Sequence, residues 1–195
     1  MNNTRSKTLI LVEGALMIAV ATLLSMVKLF RMPYGGSVKL MAMVPLVMMS
    51  FRHGIKWGTI TAFAYSLLHL VLGINDVASC PTLLSQIGCI LLDYVIAYTV
   101  LGLADAIAKP FKNRIVGVCV GTGAVCLMRF VCSWLSGILV WGAYQSYYDW
   151  AANMPTWLYS LIYNGNYMLP DTVINIIGAA VLVKAASRLF DRQAA

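Results

Sequence analysis

Long apolar segments, separated by short polar breaks, run along almost the whole chain from residue 9 to residue 190. A helix needs roughly 20 apolar residues to cross a bilayer. The pattern predicts six spans, near residues 8–29, 38–51, 57–74, 82–107, 115–141 and 157–189. The second is short and contains Pro45, which favours a partial or broken span. We therefore expect an all-α integral membrane protein, a six-transmembrane-helix bundle in which residues 1–195 form a single domain.

The composition and the placement of charge agree with this pattern. Hydrophobic residues make up 61% of the chain and charged residues 11%, whereas a soluble domain has about 25% charged residues. With six spans, most of the 14 Lys and Arg residues fall on the side of the two termini. The positive-inside rule then places both termini in the cytoplasm of a multi-pass cell (plasma) membrane protein. No basic face stands apart from the loops, so we expect membrane lipids and no nucleic acid as partners.

Asp93 and Arg129 are two of the charged residues within the predicted spans. An acid as deep in a span as Asp93 costs roughly 2.5–3.5 kcal/mol on insertion scales, so it should face a cavity or a partner. Arg129 begins a polar stripe that continues through Ser133 and Gly137 to Trp141 at intervals of four residues. The sequence leaves two readings open: a binding site, or an ion pair between Asp93 and Arg129 that only fixes the bundle.

An aromatic segment at residues 157–170 begins the last span. Tyr159, Tyr163 and Tyr167 are four residues apart and share one helical face. Asn164 falls on an adjoining face, so we expect it to reach the same site only if the helix begins irregularly. The alternative is an interfacial aromatic belt. Together with the acid, these rings suit a flat, partly cationic heterocycle, because cations are attracted to aromatic faces.

The sequence carries no signature of a catalytic or nucleotide-binding site. It has no phosphate-binding loop motif, no metal-ligand spacing among its five Cys residues and no credible triad. We therefore expect a protein that is not an enzyme, with no cofactor and no metal ion, although an intramembrane enzyme remains the alternative class. A chain with one pocket and no such site must either bind its ligand passively or obtain energy from a partner protein.

Ala15 and Ala19 form a pair of small residues, four apart, near the start of the first span. Such a ridge lets another helix approach closely inside a bilayer. The ridge could contact a partner protein, or it could pack within the bundle.

A series of motifs occurs in order along the chain: Met-Pro-Tyr-Gly-Gly-Ser at residues 32–37, Pro45, Phe-Arg-His-Gly at 51–54, Leu-Leu-Asp-Tyr at 91–94, Val-Leu-Gly-Leu-Ala at 100–104 and Tyr-Ser-Leu-Ile-Tyr-Asn-Gly at 159–165. Together these motifs resemble the thiamine-specific S components of energy-coupling factor (ECF) transporters, and the match covers nearly the whole chain. The resemblance implies a six-helix bundle with a cavity near the outer face and high-affinity binding of thiamine (vitamin B1). It also implies ATP-dependent uptake, driven by a transmembrane coupling protein and two cytoplasmic ATPases.

The resemblance also assigns roles by position. It makes Asp93 the binding acid and Trp141 the stacking ring, and it places the contact with the coupling protein at Ala15 and Ala19. The other expected substrate-binding residues are Tyr34, Tyr65, Tyr94, Arg129, Ser133, Tyr159 and Asn164.

Four positions depart from some members of that family. Gly36 and Tyr65 stand where those members have Trp, and Ser133 stands where they have His. The binding acid is often Glu in the family and is Asp93 here. We expect Trp134 or an aromatic residue of the last outer loop to replace the missing rings. A thiamine precursor or another heterocyclic vitamin is the alternative ligand.

Overall fold

The computed structural model describes residues 2–32 and 35–186. Tyr34 and the predicted end of the last span, near residue 189, lie outside these residues. The helices are α1 (Asn2–Met26), α2 (Val44–Leu72), α3 (Ile74–Ser79), α4 (Leu83–Ala108), α5 (Arg114–Leu139) and α6 (Thr156–Ala185). The strands are β1 (Lys28–Met32) and β2 (Gly35–Lys39), and a 3₁₀-helix, Trp141–Tyr147, follows α5.

The described residues contain five helices that are long and apolar enough to cross a membrane, namely α1, α2, α4, α5 and α6. The predicted class, a helical membrane protein, is confirmed. The five helices cover the positions of all six predicted spans, because α2 contains both the second and the third. The start predicted for the second span is wrong, since its first residues belong to strand β2 and the helix begins at Val44.

Gly54 interrupts α2 with a φ of 80° and a ψ of −179°, which are not helical values. A Cβ added to Gly58 would lie only 2.7 Å from the Cα of Ser50. Residues eight positions apart in a straight helix are separated by about 12 Å, so the chain must turn back on itself near Gly54. At this turn Glu13 of α1 pairs with Arg52 at 2.7 Å and with His53 at 2.9 Å.

The first half of α2 forms the centre of the bundle. Every residue from 44 to 51 is buried, as expected for a helical segment with neighbours on all sides. Ser50 donates a hydrogen bond of 2.6 Å to the carbonyl of Gly102 and accepts one of 3.0 Å from the amide of Asp105. These bonds join the centre of the bundle to α4.

Strands β1 and β2 form an antiparallel hairpin between α1 and α2. Lys28 pairs with Lys39 and Arg31 with Ser37, and the register shifts between Lys28 and Phe30 and again after Arg31. The sequence analysis predicted no strands between the first and second spans. The end of the bundle that carries this hairpin is called the hairpin end below.

Helix α4 is irregular where it carries Asp93. It begins with a capping box between Thr82 and Ser85, and residues Ile90–Ile96 form a π-helix. A π-helical turn holds one more residue than an α-helical turn and is frequent at functional sites. Asp93 and Tyr94 occupy this turn.

Candidate functional site

A cavity of about 870 Å³ opens at the hairpin end. Its wall is built from the end of α1, the hairpin, the end of α2, α3, α4, α5, the 3₁₀-helix and α6. Seven of the predicted binding residues line it: Asp93, Tyr94, Arg129, Ser133, Trp141, Tyr159 and Asn164. Tyr65 is buried and does not line the cavity. Tyr34 lies outside the described residues.

Asp93 is held in place by two donors from the next part of the chain. Its Oδ2 atom accepts a hydrogen bond of 2.5 Å from the Ser136 hydroxyl and one of 2.9 Å from the Trp141 indole. Both bonds end on the same oxygen, so the other oxygen, Oδ1, carries neither. The carboxylate is therefore fixed in orientation and retains an acceptor for a ligand.

Arg129 does not pair with Asp93, and the ion-pair reading of these two residues is wrong. Its guanidinium lies 3.7 Å from Asp171 of α6 and donates a bond of 3.3 Å to the Tyr98 hydroxyl. Asp171 in turn accepts a bond of 2.9 Å from the backbone amide of Lys39. Arg129 thus links α5 to α6, and Asp171 extends the link to the hairpin. The charge on Asp93 is not paired with Arg129 and faces the cavity.

A second polar group forms the floor of the cavity and was not predicted from the sequence. The Lys39 ammonium lies 3.4 Å from His69 Nε2 and 3.3 Å from the Tyr98 hydroxyl. Tyr65 stacks on His69 with ring centroids 5.5 Å apart and meets Tyr98 edge-on at 5.3 Å. Tyr65 therefore positions the floor from below and does not touch the cavity.

Aromatic rings form the wall on the side of α6. Tyr159 and Tyr163 both lie 5.7 Å from Tyr148 between ring centroids, and Trp150 lies 5.7 Å from Tyr159. Tyr148, Tyr159 and Tyr163 line the cavity. An interfacial aromatic belt would place these rings at the membrane surface. Instead the tyrosine rings contact one another and face the cavity, so the belt does not explain them.

The expectation that Asn164 needs an irregular helix start is wrong. Helix α6 begins at Thr156 and is continuous through Pro170, yet Asn164 lines the same cavity as Tyr159. Tyr159 and Asn164 are five residues apart, so in a regular helix their side chains point in directions about 140° apart. The cavity borders the helix over this whole angle. Tyr167 lies between the two and donates a hydrogen bond of 2.7 Å to Asn164 Oδ1.

Other aromatic rings lie at or near the positions that the sequence analysis singled out for their lack of a ring. Gly36 has a φ of 61°, and a Cβ there would lie 2.8 Å from the Tyr167 ring, which fills the space. Tyr148 supplies a ring from the loop after the 3₁₀-helix. Trp134 does not line the cavity, because its indole donates a bond of 2.9 Å to the carbonyl of Trp157.

The cavity can bind a flat organic cation by two complementary means. The Asp93 carboxylate offers an acceptor with a full negative charge, and the tyrosine wall offers aromatic faces. Among the described residues, no group of three or more His, Cys, Asp or Glu side chains is placed to hold a metal ion. The residues that the sequence analysis missed, Lys39, His69 and Tyr98, carried no local signal, since each is a single polar residue near or within an apolar segment.

Neither residue of the ridge at Ala15 and Ala19 lines the cavity. Both residues are exposed, whereas the neighbouring Gly14 is buried against Thr61 of α2. The ridge therefore faces away from the bundle, and the reading of an internal packing surface does not fit.

Comparisons with known proteins place the chain among membrane transporters. Residues 11–191 match the sequence model of the family described as "Thiamine transporter protein". The chain is 33% identical over 197 residues to "Thiamine transporter ThiT" of Bacillus subtilis (strain 168), covering 95% of this chain and 96% of that protein. It is 28% identical over 162 residues to the ThiT of Lacticaseibacillus paracasei (strain ATCC 334), covering 76% of this chain and 74% of that protein.

A solved structure shares the fold. The structure of ThiT from Listeria monocytogenes superposes with a TM-score of 0.76 at 22% sequence identity, covering 95% of this chain and 98% of that one. The names of these relatives describe transport rather than catalysis.

Proposed function

The chain belongs to the thiamine transporter protein family, and from this premise we propose that it binds thiamine at the hairpin end and mediates its uptake across the cell membrane. The chain is accordingly a multi-pass membrane transport protein and not an enzyme. The observation that carries the proposal is the pairing, within one cavity, of the oriented Asp93 carboxylate with the wall of tyrosine rings.

Each part of thiamine has a chemical counterpart in this cavity. The aminopyrimidine carries an exocyclic amine, which can donate to Oδ1 of Asp93, the oxygen that accepts neither the Ser136 nor the Trp141 bond. The thiazolium is a cationic ring, which gains from the aromatic faces of Tyr148, Tyr159 and Tyr163. Trp141 borders the cavity beside Asp93 and offers a further face for stacking. In this proposal Tyr94, Arg129, Ser133 and Asn164 complete the site, and Tyr65 supports it from below.

We further propose that the chain is the S component of an ECF transporter and is energised by ATP through other proteins. No phosphate-binding loop occurs in the sequence, so the chain must borrow the energy. The exposed ridge at Ala15 and Ala19 is flat enough for a helix of a transmembrane coupling protein to pack closely. Two cytoplasmic ATPases would act through that coupling protein.

The same proposal fixes the topology. The two halves of α2 on either side of Gly54 count as separate spans, which makes six and returns both termini to one side. The basic residues of the loops near the termini place that side in the cytoplasm. The hairpin and the mouth of the cavity then face outward, as uptake requires.

Ligand identity is tested by mass spectrometry of the small molecules that co-purify with the protein in detergent, followed by calorimetric titration. We expect thiamine to co-purify and to bind far more tightly than its free aminopyrimidine or thiazole half. Tighter binding of one half would replace thiamine with a precursor as the ligand. Co-purification of an unrelated heterocycle, together with no heat on adding thiamine, would contradict the proposal.

A further inference from the structure

Glu13 of α1 carries an acid inside a membrane-spanning helix. Its carboxylate pairs through Oε1 with the Arg52 guanidinium at 2.7 Å and through Oε2 with the His53 ring at 2.9 Å. None of these three residues lines the cavity. An ionisable group within a span is costly and generally marks a functional position, so this group calls for a role other than ligand binding.

The part of α1 around Glu13 is only lightly packed against the bundle. Between residues 7 and 20, Gly14 is the only buried residue of α1, and a Cβ added there would lie 3.0 Å from the Thr61 hydroxyl oxygen of α2. Five large apolar residues of this stretch are between 44% and 65% exposed: Leu9, Leu11, Val12, Leu16 and Val20. Because lipid tails are as apolar as these side chains, burying them in the bundle supplies little driving force. Apolar packing therefore does little to fix the rotation of this part of α1 about its axis.

The pairing of Glu13 fixes that rotation. In a regular helix Ala15 points about 200° and Ala19 about 240° away from the direction of Glu13. A Glu13 side chain held against α2 therefore turns the ridge at Ala15 and Ala19 away from the bundle, where both residues are exposed. Both partners of Glu13 directly precede Gly54, the point at which α2 turns back on itself, so the carboxylate is tied at both oxygens to one place in α2.

We propose that Glu13 is a positioning residue for energy coupling, whose ion pairs with Arg52 and His53 hold α1 in the rotation that presents the ridge to the coupling protein. This inference rests on the proposed function, since it requires the ridge to be the docking surface. Glu13 acts through the ridge and makes no contact with the ligand. Without its ion pairs α1 rotates over the lipid, and the ridge spends less time in the orientation that the coupling protein can bind.

The test measures two properties of Glu13→Gln, a substitution that keeps the size of the side chain and removes its charge. The first is thiamine uptake into proteoliposomes that contain the whole complex, and the second is calorimetric titration of the isolated chain with thiamine. Uptake should fall about fivefold or more, because the charge-assisted bonds that orient α1 are lost. Thiamine affinity should change by less than about twofold, since none of the three paired residues lines the cavity.

A reciprocal exchange separates positioning from a need for either charge in its own place. Arg52→Glu alone sets two acids against each other and should lose uptake. Glu13→Arg/Arg52→Glu restores an ion pair between α1 and α2 and should recover most of the wild-type uptake. Asp105→Asn is the matched control, because it removes one acid from another helix, α4, where Asp105 pairs with Lys109 at 3.7 Å. The control should leave uptake and thiamine binding unchanged.

Three results would overturn the positioning role of Glu13. Wild-type uptake in Glu13→Gln would show that the pairing is not needed, and equal loss of uptake and thiamine binding would show that it only supports the fold. An exchange variant that binds thiamine but recovers no uptake would show that the two charges act separately.

Failure of the proposed function gives a different result. A wild-type complex without thiamine uptake would contradict the proposed function itself, and this inference would fail with it. Full uptake after replacement of both Ala15 and Ala19 by Trp would place the docking surface elsewhere, and Glu13 would then have no ridge to position.

Discussion

Replacing Asp93 by Asn is the most direct test of the acid in the cavity. The change preserves the size of the side chain and removes its charge. The Ser136 hydroxyl and the Trp141 indole N–H both donate to Oδ2, and the Asn carbonyl oxygen can accept both bonds. The amide NH₂ group must then turn toward the ligand, so a donor meets the donating amine where the carboxylate Oδ1 had been an acceptor.

The expected loss of thiamine affinity follows from the one hydrogen bond that the variant cannot make. One charge-assisted hydrogen bond is worth roughly 1.5–3 kcal/mol. At about 1.4 kcal/mol for each factor of ten, thiamine should bind about 10- to 150-fold more weakly. The protein should still fold, because both internal donors keep an acceptor and an uncharged side chain lowers the cost of burial within a span.

Titration calorimetry of purified wild type and variant measures the effect. Asp105→Asn is a matched control, since Asp105 is a buried acid on the same helix that does not line the cavity, and it should leave affinity unchanged. Wild-type affinity in Asp93→Asn would refute a ligand role for this carboxylate. Equal weakening in the Asp93 and Asp105 variants would point to a general loss of structure instead.

Three further predictions concern other parts of the molecule. Trp141→Phe should remove most of the quench of tryptophan fluorescence that thiamine causes. It should also weaken thiamine binding about two- to tenfold, because Asp93 loses one hydrogen-bond donor. A full quench in the variant would mean that another residue stacks on the ligand. Replacing both Ala15 and Ala19 by Trp should abolish thiamine uptake by the whole complex. The isolated variant should still bind thiamine with unchanged affinity in a titration. Loss of binding together with uptake would mean that the ridge packs inside the bundle. Arg129→Met should destabilise the protein by about 3–5 kcal/mol in detergent melting, because the buried Asp171 carboxylate is left unpaired. Adding Asp171→Asn should recover part of that loss, and no recovery would mean that the ion pair is not the source.

Local patterns were enough to predict the helices and part of the cavity. Length and apolarity gave the spans, because a bilayer admits few alternatives to a helix whose backbone bonds are satisfied internally. The spacing of Arg129, Ser133, Gly137 and Trp141 by four placed them on one face, and the structure brings all four to the cavity. Asp93 was recognisable on its own, since a charge within a span is too costly to lie against lipid.

The sequence could not predict contacts between residues that are far apart along the chain. It offered only Asp93 as an ion-pair partner for Arg129, whereas the packing of α5 against α6 brings Asp171 to the guanidinium. The hairpin was missed because its strands are short and its pairing depends on where α1 and α2 hold their ends. The same holds for Lys39, His69 and Tyr98, which form a floor only because β2, α2 and α4 meet there.

The sequence was therefore enough to predict a cavity among membrane helices that contains an acid and aromatic rings. The contacts between the residues that line the cavity depend on the tertiary structure. Burial and periodicity are properties of single segments, and each segment can be read alone. The orientation of Asp93 and the tyrosine wall each require two or more segments at hydrogen-bonding or stacking distance. Those distances are set by close packing of the whole bundle, which no single segment specifies.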